Sequence, residues 1–127
     1  MKVPLISIVD DDGSVREATE ALIESLGYAT ATFASAEEYL LSGCVETSSC
    51  LITDLQMPGM SGADLQDRLN ADGRRTPIIF ITAFSEERIR ARVLEAGALD
   101  FLSKPFSEES LIRCLEKALA NSGVAAR

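Results

Sequence analysis

Asp10, Asp11, Asp12, Asp54, Thr82 and Lys104 are the side chains of this sequence that could do chemistry together. Singly, each has an ordinary reading. An aspartate after a strand is often only a turn former or a helix cap, and Asp12 before Gly13 fits that role. Thr82 alone is a helix-entry hydroxyl, and Lys104 before Pro105 is a solvated amine in a turn. Brought to one place they mean more. Two carboxylates about 4 Å apart at an effective dielectric of about 20 repel by about 4 kcal/mol. A hard divalent cation removes that repulsion and takes oxygen ligands. Two or three carboxylates with open water positions suit Mg²⁺ better than Ca²⁺, which takes more protein oxygens. Mg²⁺ in turn favours phosphoryl chemistry, in which an ammonium and a hydroxyl hold phosphoryl oxygens.

Composition narrows the alternatives. The 127 residues suffice for one domain with one core. Hydrophobic residues make up 46% and charged residues 25%, a globular rather than a disordered balance. Twenty acidic against 12 basic residues give a net charge of −8, without the basic footprint of a phosphate-backbone binder. Direct nucleic-acid binding by this chain is therefore not expected. There is no histidine, which excludes Ser/His and Cys/His catalysis and His-ligated metal sites. Cys44, Cys50 and Cys114 form no CxxC pair and read as reduced thiols. The longest apolar runs are strand-length, so no membrane span is expected. The start, Met1-Lys2-Val3-Pro4, carries too short an apolar run for a signal peptide, and the expected location is cytoplasmic.

The elements that must position these groups alternate. Apolar runs at Leu5–Val9, Tyr28–Phe33, Cys50–Thr53, Pro77–Thr82 and Asp100–Ser103 predict strands. Helical stripes lie between them. They are Val15, Ala18, Leu22 and Leu26; Ala36, Tyr39 and Leu40; Leu65 and Leu69; Ile89, Val93 and Ala96. A last helix carries Leu111, Leu115, Ala118 and Leu119. Five strand–helix alternations predict an α/β fold with a parallel sheet, because parallel strands need crossovers. Ser35 with Glu38 reads as a capping box, and Ser85 and Ser107 as N-caps before Glu-Glu. Gly27 and Gly97 stand where helices should stop. The first, third and fourth strands are almost wholly apolar and read as central, whereas the second alternates with small polar residues like an edge. The fifth reads as the other edge. The predicted order is 2-1-3-4-5, a flavodoxin-like (CheY-like) doubly wound sandwich with five helices. Residues 1–121 read as one domain and 122–127 as a tail, with fraying from Ala120 onward. In such sheets ligands bind beyond the C-terminal strand ends. Asp10-Asp11-Asp12, Asp54, Thr82 and Ser103-Lys104-Pro105 all fall there.

These residues resemble the receiver domain of two-component response regulators. The acidic pair matches Asp10-Asp11, and the phosphoacceptor motif D-x-x-M-P-x-M-S-G matches Asp54 to Gly62. A Thr-Ala pair matches Thr82-Ala83, and the Gly-Ala…aromatic…Lys-Pro-Phe stretch matches Gly97-Ala98, Phe101 and Lys104-Pro105-Phe106. The resemblance covers residues 4–120. Ser35-Ala36-Glu37, Thr53-Asp54-Leu55 and Gly97-Ala98-Leu99-Asp100-Phe101 look most like the FixJ-type branch, whose full-length members activate transcription.

The resemblance implies a phosphorylation switch rather than a true enzyme, with autocatalytic phosphotransfer and slow autodephosphorylation. Asp54 would accept a phosphoryl group from the phosphohistidine of a sensor histidine kinase. Asp10 and Asp11 would hold Mg²⁺ with Asp54 and the main-chain carbonyl of Gln56. Thr82 and Lys104 would bind phosphoryl oxygens, the Lys104–Pro105 bond would be cis, and Phe101 would be the switch aromatic. Gln56 and Phe84 occupy the positions that tune attack by water. Thr82 would be drawn toward the phosphoryl group and Phe101 would swing inward. A homodimer through helix 4 and strand 5 is implied on phosphorylation, with Arg88 and Arg92 expected on the contact face beside Asp100. Two rival readings remain open. Asp10-Asp11-Asp12-Gly13-Ser14 also resembles the D-x-D-G-T/S motif of haloacid-dehalogenase-like phosphatases, with Asp10 as nucleophile and Asp12 as acid/base. That reading leaves the Asp54 motif unexplained. The other rival is a degenerate receiver kept only for its fold.

Overall fold

Strand and helix alternate along a computed structural model that describes residues 3–83 and 86–121. The order is β1 (Leu5–Val9), α1 (Gly13–Ser25), β2 (Ala29–Phe33), α2 (Ala36–Leu41), β3 (Cys50–Asp54), α3 (Gly62–Ala71), β4 (Ile78–Thr82), α4 (Glu87–Glu95), β5 (Asp100–Ser103) and α5 (Glu108–Asn121). All four pairings are parallel, in the order β2-β1-β3-β4-β5. This is the flavodoxin-like α/β sandwich that the alternation predicts, with β2 and β5 at the edges.

Side chains alternate across each strand, and this builds two cores. Ile6, Ile8, Cys50, Ile52, Ile79 and Ile81 pack with Ile23 of α1 and with Leu111, Leu115, Ala118 and Leu119 of α5. The intervening Val9, Leu51, Ile78, Phe80 and Phe101 face the other way, onto α2, α3 and α4. A strand covered on both faces needs apolar residues at every position. That is why β3 and β4 are buried throughout, whereas β2 is only partly covered.

Local chemistry sets the element ends. Asp12 caps α1, accepting from the Ser14 and Val15 N–H groups at 3.0 and 3.3 Å. Ser107 Oγ accepts from the Ser110 N–H at 3.0 Å at the start of α5. Gly27 and Gly97 hold φ of 96° and 108° after α1 and α4, a region glycine enters without a Cβ penalty.

Several expectations need correction. Ser35 does cap α2, but Glu38 reaches one residue further, to the Ala34 N–H. The reciprocal capping box lies instead at Ser61 and Asp64 of α3. Ser85 lies outside the described residues, and the cap position of α4 is held by Glu86 without a side-chain cap bond. The buried stripe of α1 centres on Thr19 and Ile23, with Val15 and Leu22 partly buried; Ala18 and Leu26 are exposed. Ala18 and Leu22 line a groove of about 600 Å³ with Pro105 and Phe106, so that side of the predicted stripe borders the groove and not the core. Helix α5 continues through Ala120 to Asn121, and the expected tail at 122–127 lies outside the described residues.

Candidate functional site

The register of the sheet gathers the chemical groups. Val9 pairs with Thr53, so Asp10 and Asp54 come next to each other where β1 and β3 end. Asp54 pairs with Ile81, placing Thr82 one step beyond it on β4. Thr82 pairs with Ser103, and the Lys104 N–H continues that ladder to the Thr82 carbonyl at 2.7 Å. The following Lys104–Pro105 bond is cis, as the resemblance implies.

Lys104 organises the two buried carboxylates. Its Nζ donates to Asp10 Oδ2 and to Asp54 Oδ2, both at 3.1 Å. The remaining oxygens take main-chain donors: Asp10 Oδ1 accepts from the Asp12 N–H at 2.9 Å, and Asp54 Oδ1 from the Gln56 N–H at 3.2 Å. Asp10 is fully buried and Asp54 nearly so, while Asp11 is exposed. Burial pushes the Asp10 carboxyl above its ordinary range, partly opposed by the Asp12 N–H and Lys104. Burial also works against the Lys104 ammonium, yet its bonds to Asp54 and Asp10 raise it above the ordinary lysine value. The ammonium is therefore held charged between the carboxylates. On the outer side, Arg16 Nη1 donates to the Asp10 carbonyl at 2.6 Å and fixes the turn after β1.

Asp10, Asp11 and Asp54 each offer a carboxylate oxygen, and these oxygens lie within 4.8 Å of one another. An all-oxygen anionic donor set of this kind fits a hard divalent cation. Sequence reasoning missed Arg16, which is legible only through its position one turn into α1. It also missed the need for Gly62. A Cβ there would collide with the Asp54 carbonyl oxygen and lie 3.0 Å from Leu55 Cα, so only glycine lets α3 start against the end of β3.

Other expected residues are placed differently. Thr82 is already fully buried, and Phe101 is only 8% exposed, packed in the core with Val93 and Phe80. In this conformation Phe101 already holds the inward position that the switch role expects. A phenylalanine has no hydroxyl to hydrate, so burial of its ring carries no polar cost. Phe84 lies outside the described residues. Arg92 donates to Asp67 of α3 at 2.8 Å, so Arg92 occupies the flank of α4 toward α3, and Arg88 lies one turn before it on the same helix face. Arg90, two residues before Arg92 and so roughly 200° round the helix from it, lies on the opposite flank and is paired with Glu87 at 3.5 Å. Cys50 and Cys114 are buried free thiols, each pushed up to about 12 by burial, with the Asp100 carboxylate adding to the shift at Cys114.

The comparisons agree with this geometry. Residues 6–116 match the family model of the response regulator receiver domain. The chain is 39% identical to the response regulator protein TodT of Pseudomonas putida, over 93% of this chain and 52% of that protein. It is 35% identical to the transcriptional regulatory protein FixJ of Azorhizobium caulinodans, over 92% of this chain and 56% of that one. Among solved structures, FixJ-N superposes with a TM-score of 0.84 at 32% identity, covering 94% of this chain and 96% of that chain. The chain spans about half the length of the relatives it matches.

Proposed function

The chain belongs to the response regulator receiver domain family, of the FixJ type, and from that premise we propose that Asp54 is its phosphoacceptor. The observation that carries the proposal is the bridge from Lys104 to Asp10 and Asp54 at 3.1 Å each, with Asp11 beside it. A carboxylate is a weak nucleophile, so positioning and charge neutralisation must supply most of the acceleration. Asp54 attacks the phosphorus of a kinase phosphohistidine; its new P–O bond forms as the donor P–N bond breaks, and the imidazole leaves with that electron pair. Lys104 follows the developing charge, exchanging a carboxylate oxygen for a phosphoryl oxygen, and Thr82 supplies a hydroxyl from the end of β4. Mg²⁺, held by Asp10, Asp11, Asp54 and the Gln56 carbonyl, would neutralise the charge of the transferring group. The partner supplies the histidine that this sequence lacks. The groove between α1 and the β5–α5 turn, lined by Val15, Ala18, Leu22, Pro105 and Phe106, opens beside Lys104 and offers apolar area to a donor protein.

The reaction is a switch rather than turnover of a free substrate, and hydrolysis by water resets it. Its output is regulation of transcription in a longer regulator, as the names of the relatives suggest, with a homodimer through α4 and β5 on phosphorylation. The position of Arg92 moves that proposed contact to Arg90 and Asp100. With a net charge of −8, the chain binds no DNA itself, and the site of action is the cytoplasm. Among the described residues no helix is long and apolar enough to cross a membrane.

Acetyl phosphate with Mg²⁺ tests the phosphoacceptor. One phosphoryl group should appear by intact mass, labile in warm base, and Asp54→Asn should block it. A phosphoryl group on Asp10 would overturn the reading in favour of the phosphatase-like one, and none at all would favour the degenerate one. Sedimentation velocity of the beryllofluoride form should show a dimer that Arg90→Glu weakens; a monomer at high micromolar concentration would remove the dimer from the proposal.

A further inference from the structure

Between Asp54 and α3 the chain must turn sharply, and its ends are well fixed. The Gln56 N–H is on Asp54 Oδ1, the Gly62 N–H is on the Leu55 carbonyl at 2.8 Å, and Ser61 with Asp64 closes the capping box. The middle, Met57-Pro58-Gly59-Met60, crosses the surface toward α2. There the Met60 N–H donates to Glu37 Oε2 at 3.0 Å, across 23 residues of sequence. Gly59 stands at φ +77°, and a Cβ on it would lie 2.8 Å from the same Glu37 oxygen. The carboxylate thus occupies the space that a side chain at 59 would take.

We propose that Glu37 is a positioning residue for the phosphoacceptor site, holding through the Gly59–Met60 turn the main chain that carries Gln56. The inference rests on the proposed roles of Asp54 and of the Gln56 carbonyl. Helix α2 is a firm base for it. Ala36 and Tyr39 on either side of Glu37 in that helix are fully buried, and Ser35 caps it. A carboxylate in a first helical turn is also stabilised by the helix dipole, and its bond to a main-chain N–H is charge-assisted. Groups outside a metal's own ligands commonly set its affinity by fixing the backbone that presents them. Gln56 is exposed and followed by Met57, Pro58 and Gly59, so this main chain gains orientation from a contact at Met60.

The test separates reach from charge. Glutamine at 37 keeps an acceptor at the same reach, aspartate keeps the charge one methylene short, and alanine loses both. Mg²⁺ affinity measured by titration calorimetry without phosphodonor should fall about 3-fold in Glu37→Ala and Glu37→Asp and less in Glu37→Gln, a size consistent with loss of one exposed hydrogen bond. Met60 amide exchange in the metal-free protein should accelerate in the same order. Gly59→Ala, which both crowds the Glu37 carboxylate and strains a left-handed turn, should lower Mg²⁺ affinity at least as much as Glu37→Ala. Urea midpoints identify any variant that acts by unfolding α2; Glu37→Gln against Glu37→Asp, compared at equal stability, then carries the test. Unchanged Mg²⁺ affinity and Met60 exchange would overturn the proposal, as would an order in which aspartate behaves as wild type and glutamine as alanine. If the wild type itself takes neither Mg²⁺ nor a phosphoryl group, the phosphoacceptor reading fails; an effect missing only from the variants condemns Glu37 alone.

Discussion

Ser7 lies within β1 and Asp10 just past its end, and both are fully buried, yet their surroundings differ in kind. Ser7 Oγ lies 2.6 Å from Ser48 Oγ; Ser48 also accepts from the Tyr39 hydroxyl at 3.1 Å and donates to the Cys44 carbonyl at 2.6 Å. That network is neutral and closed: each hydroxyl is used by another group of the protein. At the other end of the strand, Asp10 and Asp54 share one ammonium and two main-chain N–H groups. Carboxylates keep further lone pairs for a cation. Among the described residues no buried side-chain nitrogen or oxygen lacks a partner, so the difference is not one of satisfaction. It is one of charge and spare capacity. The amino-terminal edge of the sheet is arranged for stability, and the carboxyl-terminal edge carries charge that a ligand would relieve.

The largest effect should come where the two kinds of construction meet. Gly62→Ala would drive a methyl group against the Asp54 carbonyl and within 3.1 Å of the Phe80 ring. Overpacking against backbone should remove about 3 kcal/mol in urea denaturation, with Mg²⁺ affinity falling as well because Asp54 is displaced. A small loss of stability would mean that α3 can retreat from the end of β3.

Asp10→Asn should do the reverse in the metal-free protein, raising stability at pH 7 by about 2 kcal/mol, at the upper end of single-site gains. The sign follows from linkage. Burial raises the folded value of Asp10 above its ordinary 3.8. A group raised on folding contributes stability that is complete below the unfolded value and lost as pH rises through the folded one. At neutral pH the ionised side chain is therefore destabilising, and asparagine removes that burden. The advantage of the variant should shrink as pH falls through the folded value; Mg²⁺ is expected to raise the melting temperature of the wild type and to leave that of the variant unchanged. A variant less stable than wild type at pH 7 would show that Lys104 outweighs burial, and the contrast between the two edges would be lost.

Ser48→Ala should cost about 1.5 kcal/mol, because it strands the buried Ser7 hydroxyl and takes an acceptor from Tyr39. Thermal denaturation measures the loss, and Mg²⁺ affinity should stay at its wild-type value. A coupled loss of both would merge the two edges into one network.

The topology, and the gathering of Asp10, Asp11, Asp54 and Lys104 at one sheet edge, were legible in the sequence alone, and the reason is physical. Strands buried on both faces must be apolar at every position, so β1, β3 and β4 announce themselves as central. The groups that break the apolar rule at their ends, Asp10, Asp54 and Thr82, stand out against that background. Lys104 was legible by its place after β5. The connections between elements were harder. Whether Glu38 bonds Ser35 or Ala34, and whether α1 turns Ala18 or Ile23 inward, depends on small rotations that periodicity does not resolve. The facing of Arg92 toward Asp67 needed the position of α3. Glu37 and Gly59 are 22 residues apart, and no local pattern joins them.

The smallest expected effect is at the far end of α3, where two amides serve the same helix in different surroundings. Gln66 Nε2 donates to the Val93 carbonyl and Asn70 Nδ2 to the Ala96 carbonyl, both at 2.9 Å, tying the last turn of α4 to α3. Gln66 is 2% exposed, while Asn70 stands in solvent. The Val93 carbonyl keeps a second donor, the Ala98 N–H at 2.9 Å, so removing Gln66 leaves a cavity rather than an orphaned carbonyl. At Asn70 water can take over the bond directly. Asn70→Ala should therefore lower stability by only about 0.5 kcal/mol, and Gln66→Ala by more. Mg²⁺ affinity should not change in either, since both amides act at the amino-terminal edge. A fall in Mg²⁺ affinity in Asn70→Ala, with stability nearly intact, would show that the position of α4 reaches the carboxylates, and that the two edges are coupled through the helix rather than through the strands.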